Sequence, residues 1–352
     1  MLIVAHLTLL HQWVEILLNR SPFFLIMEHL LPFEKIKRSI LVKKETSTDE
    51  KLGCKPQDRK TEEIINYGIV NINKPQGPTS HQVSDYAKRI LGIKKSGHSG
   101  TLDPNVHGCL PVALGRSTRI AQALLKSGKE YVGIMHLHQD TDETKLKETI
   151  KNDFTGKIRQ TPPLKSAVKR QERTREIYYF DILEKDEKDV LFIVGCQAGT
   201  YIRKLIHDLG KKLNVGAHML ELRRTKAGPF NEETLFTLQD LTDAFYFYKS
   251  ENNDKFLRKM IQPVENAVAH LPKIWVFDTT IDTLCHGAYL NIPGISKLHD
   301  KIKKDEIVAV MTLKDELVAL GIANLSSEEI MNKQKGLAAK TDSVFMEPGT
   351  YI

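Results

Sequence analysis

Twice in this chain a β-branched run ends at a turn and passes straight into an amphipathic helix. GIVNINKP (68–75) leads into PTSHQVSDYAKRILG, where Val83, Tyr86, Ala87, Ile90 and Leu91 recur at helical spacing. VLFIVGCQAG (190–199) leads into TYIRKLIHDLGKKL, with Ile202, Leu205, Ile206 and Leu209 on one face. Thr79 or Ser80 caps the first helix, and Gly92 ends it. Arg203 falls in the first turn of the second helix, just past a strand. Such a junction fixes a side chain at a sheet edge from two elements at once, which is what a catalytic group requires.

Beyond Pro272 the texture changes. Short apolar runs, KIWVF, AYLNIPGI, EIVAVMTL, ELVALGIA and SVFM, alternate with Gly, Pro and charges, the spacing of a small β-rich module. A boundary is therefore expected near 268–273, dividing a mixed sheet-and-helix domain at 67–268 from a β-rich domain at 273–348. Residues 27–66, with KIKR and VKKETSTDEK, read as an extended, solvated arm. The fold class is α+β.

At 352 residues with 41% hydrophobic content, the chain is long enough for two domains with real cores. Its net charge of +7 makes a polyanionic partner plausible. That charge is unevenly placed: 273–348 holds nine lysines and no arginine against eleven acidic residues, a net −2, so the remainder carries +9. An electrostatic footprint for nucleic acid is expected before residue 272. Cys54, Cys109, Cys196 and Cys285 form no C-x-x-C pair, which leaves a zinc ribbon or redox dithiol unsupported and favours a reduced, cytoplasmic protein. The apolar opening, residues 1–26, has no basic leader, and His6, His11, Gln12 and Glu15 interrupt it short of a spanning length of about 20 residues. Translation from Met27 is expected, with the preceding residues a start-site artefact or a disordered extension.

GHSGTLDP (97–104) concentrates polar groups and glycines in eight residues. The nucleophile elbow G-x-S-x-G fails here, because the second glycine comes one place early. A phosphate loop fails too, since Thr101, Leu102 and Asp103 follow Gly100 where a G-K-[ST] ending is needed. The letters G-x-x-G also occur in clamps for single-stranded RNA, a pattern too short to decide anything. What remains is Asp103, fixed before Pro104 and preceded by glycines that allow close approach. Taken alone, an Asp before Pro is ordinarily a turn former.

GHSGTLDP with the following GCLPVALGRSTR closely resembles the catalytic motif of the TruB superfamily of pseudouridine synthases, whose single aspartate is the nucleophile. INKPQGPTS (72–80) resembles the family's first motif, and GKEY (128–131) the loop carrying its active-site tyrosine. GTYIRKL (199–205) resembles its arginine motif, and LRRTKAGPF (222–230) the last motif of the catalytic domain. The likeness runs on through IQPVENAVAHLPKIWV and LCHGAYLNIPGI to VFMEPGTYI, and is similar to the archaeal dyskerin-like branch, the catalytic subunit of H/ACA guide-RNA particles. The fold it implies is a pseudouridine synthase domain with a mixed central sheet, followed by a small β-rich PUA pseudo-barrel. TPPLKSAVKR (161–170) has Lys165 where bacterial stand-alone enzymes usually carry tyrosine.

The resemblance implies isomerisation of uridine to pseudouridine in rRNA or tRNA, without cofactor or metal. It implies Asp103 as nucleophile, Arg203 as its ion-pair partner and Tyr131 stacking on the flipped base, a contact worth about 1–3 kcal/mol. Attack on base, attack on ribose and proton abstraction all stay open for the carboxylate. Burial against the base is expected to raise its pKa above the usual 3.9 or so, with Arg203 offsetting that effect. His98, Lys74, Leu222 and Gly100 are read as shaping the pocket. KIRQTPPLKSAVKRQERTR (157–175), with seven basic residues to one acidic, suits phosphate contacts, and Lys165, Lys169, Arg170 and Arg173 are the expected RNA-binding residues.

Implied partners are the guide RNA, rRNA and tRNA substrates, two small proteins on the catalytic domain and a kink-turn-binding protein; no membrane is implied. The PUA domain is implied to hold the conserved end of the guide. Guide-independent action on the TψC-loop uridine of tRNA, as in stand-alone relatives, is the neighbouring reading. A non-catalytic RNA scaffold is the distant one, disfavoured because Asp103, Tyr131 and Arg203 are all present.

Overall fold

The computed structural model describes residues 29–162 and 170–352. In chain order the elements are β1 (Ile40–Val42), α1 (Thr61–Tyr67), β2 (Gly68–Lys74), α2 (Ser80–Ile90), β3 (Ser96–His98), β4 (His107–Leu114), α3 (Ala121–Lys126) and β5 (Lys129–Leu137). There follow α4 (Glu143–Asp153), β6 (Gly156–Gln160), β7 (Arg173–Asp186), β8 (Asp189–Cys196), α5 (Ile202–Lys212), β9 (Ala217–Ala227), α6 (Leu238–Glu251), α7 (Lys255–Met260) and β10 (Ile261–Pro263). The last part holds β11 (Lys273–Val276), α8 (Asp278–Cys285), β12 (Leu290–Asn291), β13 (Ile295–His299), β14 (Ile307–Met311), β15 (Leu317–Ala323), α9 (Ser327–Asn332) and β16 (Leu337–Val344). No helix among the described residues is long and apolar enough to cross a membrane.

Nine strands form the larger sheet, in the order β10-β2-β4-β9-β5-β8-β7-β6 with β3 added on β4. The β4–β9 contact is parallel and its other pairings are antiparallel, so the sheet is mixed. Its centre, β4-β9-β5, brings together segments starting at residues 107, 217 and 129. On one side α5 lays Ile202, Leu205, Ile206 and Leu209 into a cluster with Met135, Phe192 and Val194. On the other, α2 buries Val83 and Ala87 against Val70, Ile72 and Val112. Tyr86, expected on that apolar face, is instead exposed. A capping box starts α2: Thr79 Oγ1 accepts from Gln82 N at 3.2 Å, and Gln82 Oε1 accepts from Thr79 N at 2.8 Å.

The smaller sheet runs β1-β13-β11-β14-β15-β16-β12. Two of its strands depart from expectation. SVFM only ends the final strand, β16, whose body is the more polar LAAKTDSV. The arm is not a solvated linker: Ile40, Leu41 and Val42 pair antiparallel with His299, Leu298 and Lys297, adding β1 to the edge of this sheet. Lys314 Nζ donates to Asp49 O at 2.9 Å and Glu50 O at 3.1 Å, holding the arm further along.

The sheets share an apolar seam. Tyr67, Ile120 and Phe230, from the helices and loops on the larger sheet's side, meet Trp275, Met311, Leu317 and Phe345 on the smaller sheet's side in one buried cluster. Each Leu, Met or Phe so buried contributes about 1.5–3 kcal/mol, enough collectively to seat the two domains against each other. Beside the seam, Arg59 donates twice to Glu265 at 2.8 Å, and Glu265 Oε1 also accepts from Leu317 N at 2.9 Å.

Candidate active site

Asp103 lies in the loop between β3 and β4, and that loop is tied to the INKPQGPTS segment at every step. Lys74, at the end of β2, is fully buried and donates to Pro75 O at 2.8 Å, Pro104 O at 3.1 Å and Val106 O at 2.8 Å. Gly77 N donates to Pro104 O at 3.0 Å. Ser80 Oγ accepts from Leu102 N at 2.8 Å and donates to Leu102 O at 3.2 Å. The loop closes on itself as Val106 N donates to Asp103 O at 3.0 Å. These bonds satisfy buried backbone groups that would otherwise penalise a tight irregular loop. Burial and the Arg224 guanidinium pull the Lys74 ammonium below its usual range, and the Asp103 carboxylate offsets part of that.

The Asp103 carboxylate accepts a hydrogen bond from Arg203 Nη2, joining residues 100 positions apart in sequence. Arg203 arrives from the first turn of α5, and the start of that helix is fixed from β6. Gln160 Oε1 accepts from Tyr201 N at 3.0 Å, while Gln160 Nε2 donates to Tyr201 O at 3.2 Å. The side chains of Asp103 and Arg203 are open to solvent, 49% and 61% exposed. The burial expected for Asp103 is therefore not present without the base: the carboxylate stands open beside Arg203.

Tyr131 forms the floor. It lies on β5, 8% exposed, in a cluster with Leu102, Val106 and Leu222. Burial pushes its phenol up, against a downward pull from the Arg224 guanidinium. Leu222 lies buried in the same cluster. The strand behind Tyr131 is braced by Glu130, which accepts from Thr225 Oγ1 at 2.7 Å and from the Tyr179 hydroxyl, with Lys226 Nζ 3.4 Å away.

His98 and Gly100 sit at the rim of the Asp103 loop. Gly100 N donates to His98 Nδ1 at 3.4 Å, and the His98 ring meets His81 edge-on at 4.6 Å. Burial, then His81 and Arg224, bring the His98 pKa down to about 4, so the imidazole is neutral at pH 7. Gly100 has φ +137°, a conformation closed to ordinary L-residues.

The residues expected to bind RNA are unevenly placed. Lys165 and Lys169 lie outside the described residues. Arg170 is exposed, and Arg173 opens β7, opposite Gln160 on β6. Because Gln160 also holds Tyr201, this basic hairpin stands beside the helix that presents Arg203. Arg175 Nε donates to Gly199 O at 3.2 Å, in the same turn. A cavity of about 900 Å³ lies elsewhere: Arg116, Arg119, Tyr248 and Phe345 line it at the domain junction, and Asp103, Tyr131 and Arg203 do not.

Three further residues belong to the site that sequence reasoning did not single out. Ser80 anchors Leu102, one residue before Asp103. Lys129 packs under Gly100, its ammonium donating to Leu124 O and Ser127 O at 2.7 and 2.8 Å; burial and Arg224 bring it down to about 7. Arg224 is completely enclosed on β9 beneath the loop. The alternation of a strand was the available signal for Arg224, since it shares a face with Leu222.

Comparison with known proteins accounts for the whole described chain. Residues 88–202 match the N-terminal domain of TruB family pseudouridylate synthases, and 203–269 the tRNA pseudouridylate synthase B C-terminal domain. Residues 272–345 match the PUA domain, and 29–84 the DKCLD (NUC011) domain. A probable tRNA pseudouridine synthase B of Pyrococcus horikoshii is 54% identical over 327 residues, covering 92% of this chain and 97% of that protein. The protein of the same description from Methanopyrus kandleri is 52% identical, with 91% and 94% covered. Among solved structures, a crystal structure of a Cbf5-Nop10-Gar1 complex matches with a TM-score of 0.87 at 53% identity, over 92% of this chain and 98% of the other. A structure of an H/ACA RNP bound to a substrate RNA containing 2′-deoxyuridine matches with a TM-score of 0.86 at 50% identity, covering 92% and 99%. Identity at this level over nine-tenths of the length, on a sheet that brings the expected aspartate and arginine together, settles the kinship: the chain belongs to the TruB family of pseudouridylate synthases.

Proposed function

We propose that this pseudouridine synthase works as the catalytic subunit of an H/ACA guide-RNA particle, isomerising uridine in rRNA or tRNA. The observation that carries the reading is the open Asp103–Arg203 pair above Tyr131, on a chain that aligns end to end with a subunit of such a particle. A flipped uridine entering the mouth covers the carboxylate and reaches the tyrosine floor. There Asp103 supplies the nucleophile, Arg203 pairs with it and aims it, and Tyr131 replaces the lost stacking. Glycosidic cleavage, rotation of the base and rejoining through C5 follow, with the C5 hydrogen released.

Arg170 and Arg173 take RNA phosphates beside the mouth, where they position the strand without reading its sequence. Selection of the uridine then rests on pairing with the guide. The solved relative is assembled with Nop10 and Gar1, and two corresponding small proteins are inferred to bind here, with a kink-turn-binding protein joined through the guide RNA. Four free thiols suit a reducing compartment, and we place the protein in the cytoplasm.

The names of the archaeal relatives favour tRNA as a substrate, and the second reading is that the protein acts on it without a guide. Tritium release from C5-labelled uridine distinguishes the two. Release from a tRNA transcript by the protein alone establishes stand-alone action. Release from an rRNA fragment only with guide and partner proteins establishes the particle subunit. No release in either mixture would contradict both.

A further inference from the structure

Arg224 is a buried cation for which the ion pair at the mouth has no use. Its side chain is 1% exposed, and no carboxylate among the described residues pairs with it. Burying a charge without a counter-charge is costly, and a delocalised guanidinium bears it only by filling its donors. Two of those donors go to places that matter: Nε donates to Cys109 O at 2.7 Å, and Nη2 donates to Gly100 O at 3.3 Å. Arg224 also stands directly opposite Tyr131 across β9 and β5, so the two side chains share one face of the sheet.

Gly100 and Cys109 bracket Asp103 in sequence, so one side chain grips the nucleophile loop on both sides from the position opposite Tyr131. The backbone is arranged for it. Arg224 pairs with Tyr131 across β9 and β5, and the register slips there, between Glu130 and Tyr131. Such a bulge re-aims a side chain at the point where pairing shifts. On the other flank Gly108 pairs with Arg224 across β4 and β9, and a Cβ on Gly108 would stand 2.3 Å from Arg224 O.

We propose that Arg224 is a positioning residue for the isomerisation: its guanidinium sets the Asp103 loop at a fixed distance from the Tyr131 ring, so that the base meets both at once. The inference rests on the functional reading above. It distinguishes Arg224 from its neighbour Arg223, which turns outward to Glu232.

The test uses the assembled particle with labelled substrate under single-turnover conditions. Arg224→Met is expected to slow release about 100-fold, as an ångström-scale misplacement does, with RNA affinity kept within about threefold. Arg224→Lys keeps the charge but not the reach to both sides of the loop, and is expected to recover part of the rate while remaining roughly tenfold slow. Combining Arg224→Met with Tyr131→Phe should cost less than the product of the two losses, by about fivefold or more, because both break one link. Losses that multiply, affinity that falls in step with rate, or Arg224→Lys at the wild-type rate would overturn the proposal. If Arg224→Met does not fold, Arg224→Lys carries the same comparisons. A readout independent of turnover is the fluorine resonance of 3-fluorotyrosine placed at position 131, expected to move with Arg224→Lys and to stay put with Lys94→Met. An unmoved resonance sinks the contact itself, whereas a wild-type particle that releases no tritium sinks the functional reading instead.

Discussion

Among the arginine–carboxylate pairs that join distant parts of this chain, Arg59–Glu265 and Arg203–Asp103 are built in opposite ways. Arg59 and Glu265 are both buried, their contact is bidentate, and one carboxylate oxygen also takes the Leu317 amide. Arg59 further lies over the Tyr67 ring, 5.0 Å from its centroid. Every direction is used, and nothing more can bind. Arg203 and Asp103 meet through a single nitrogen, both largely open to water. The first pair closes a domain junction. The second leaves a carboxylate oriented but uncovered, the state a nucleophile needs before its substrate arrives.

Breaking each pair should therefore do different damage. Arg59→Met strands a buried carboxylate and is expected to cost about 3–5 kcal/mol in denaturant unfolding, with the rate per folded molecule unchanged. Arg203→Lys should do the reverse, slowing single-turnover release by about 10–100-fold while moving stability by less than about 1 kcal/mol, since exposed pairs contribute little to folding. Comparable losses of stability for both variants would erase the distinction.

A smaller effect concerns His98, whose pKa in the folded protein is about 4, below the ordinary histidine value. Over the window from about 6.5 down to 4, the unfolded chain takes up a proton that the folded one refuses, so this contribution to stability is complete above 6.5 and is lost as pH falls. Urea unfolding across that window should show a shallower acid decline in His98→Asn than in wild type. His107, His270 and His299 are depressed in the same direction and will remain in both. An unchanged slope would mean that His98 is not held neutral by its burial. Smallest of all, Arg173→Gln should leave the rate on bound RNA intact and reduce the slope of log affinity against log salt by about 1.

Much of the site was legible before the fold. The two strand-to-helix junctions are where the periodicity put them, and the second delivers Arg203 at the first turn of α5. What periodicity could not supply was distance: Asp103 and Arg203 meet because α5 starts against Gln160, a residue without any motif of its own. Arg224 escaped because LRRTKAGPF offers two adjacent arginines, and the register slip opposite Tyr131 that gives Arg224 its place is a tertiary event. Strand β1 escaped for another reason. ILV is only three residues long, preceded by Arg38-Ser39 and followed by Lys43-Lys44, the composition of an edge strand protected from further pairing, which in sequence looks like a charged linker. The opposite case is Tyr86, whose spacing fitted the apolar face of α2 although its ring is exposed.

The contrast between a closed junction and an open reaction centre rests finally on one atom pair at Asp103. Tritium release from C5-labelled uridine should be measured for wild type and Asp103→Asn in the same assembled particle, at RNA concentrations that saturate both. The account predicts release by the wild type and a loss of about 1,000-fold or more in the variant, with equal RNA affinity and an unchanged unfolding midpoint. Release by Asp103→Asn within tenfold of wild type, in protein free of other synthases, would contradict it.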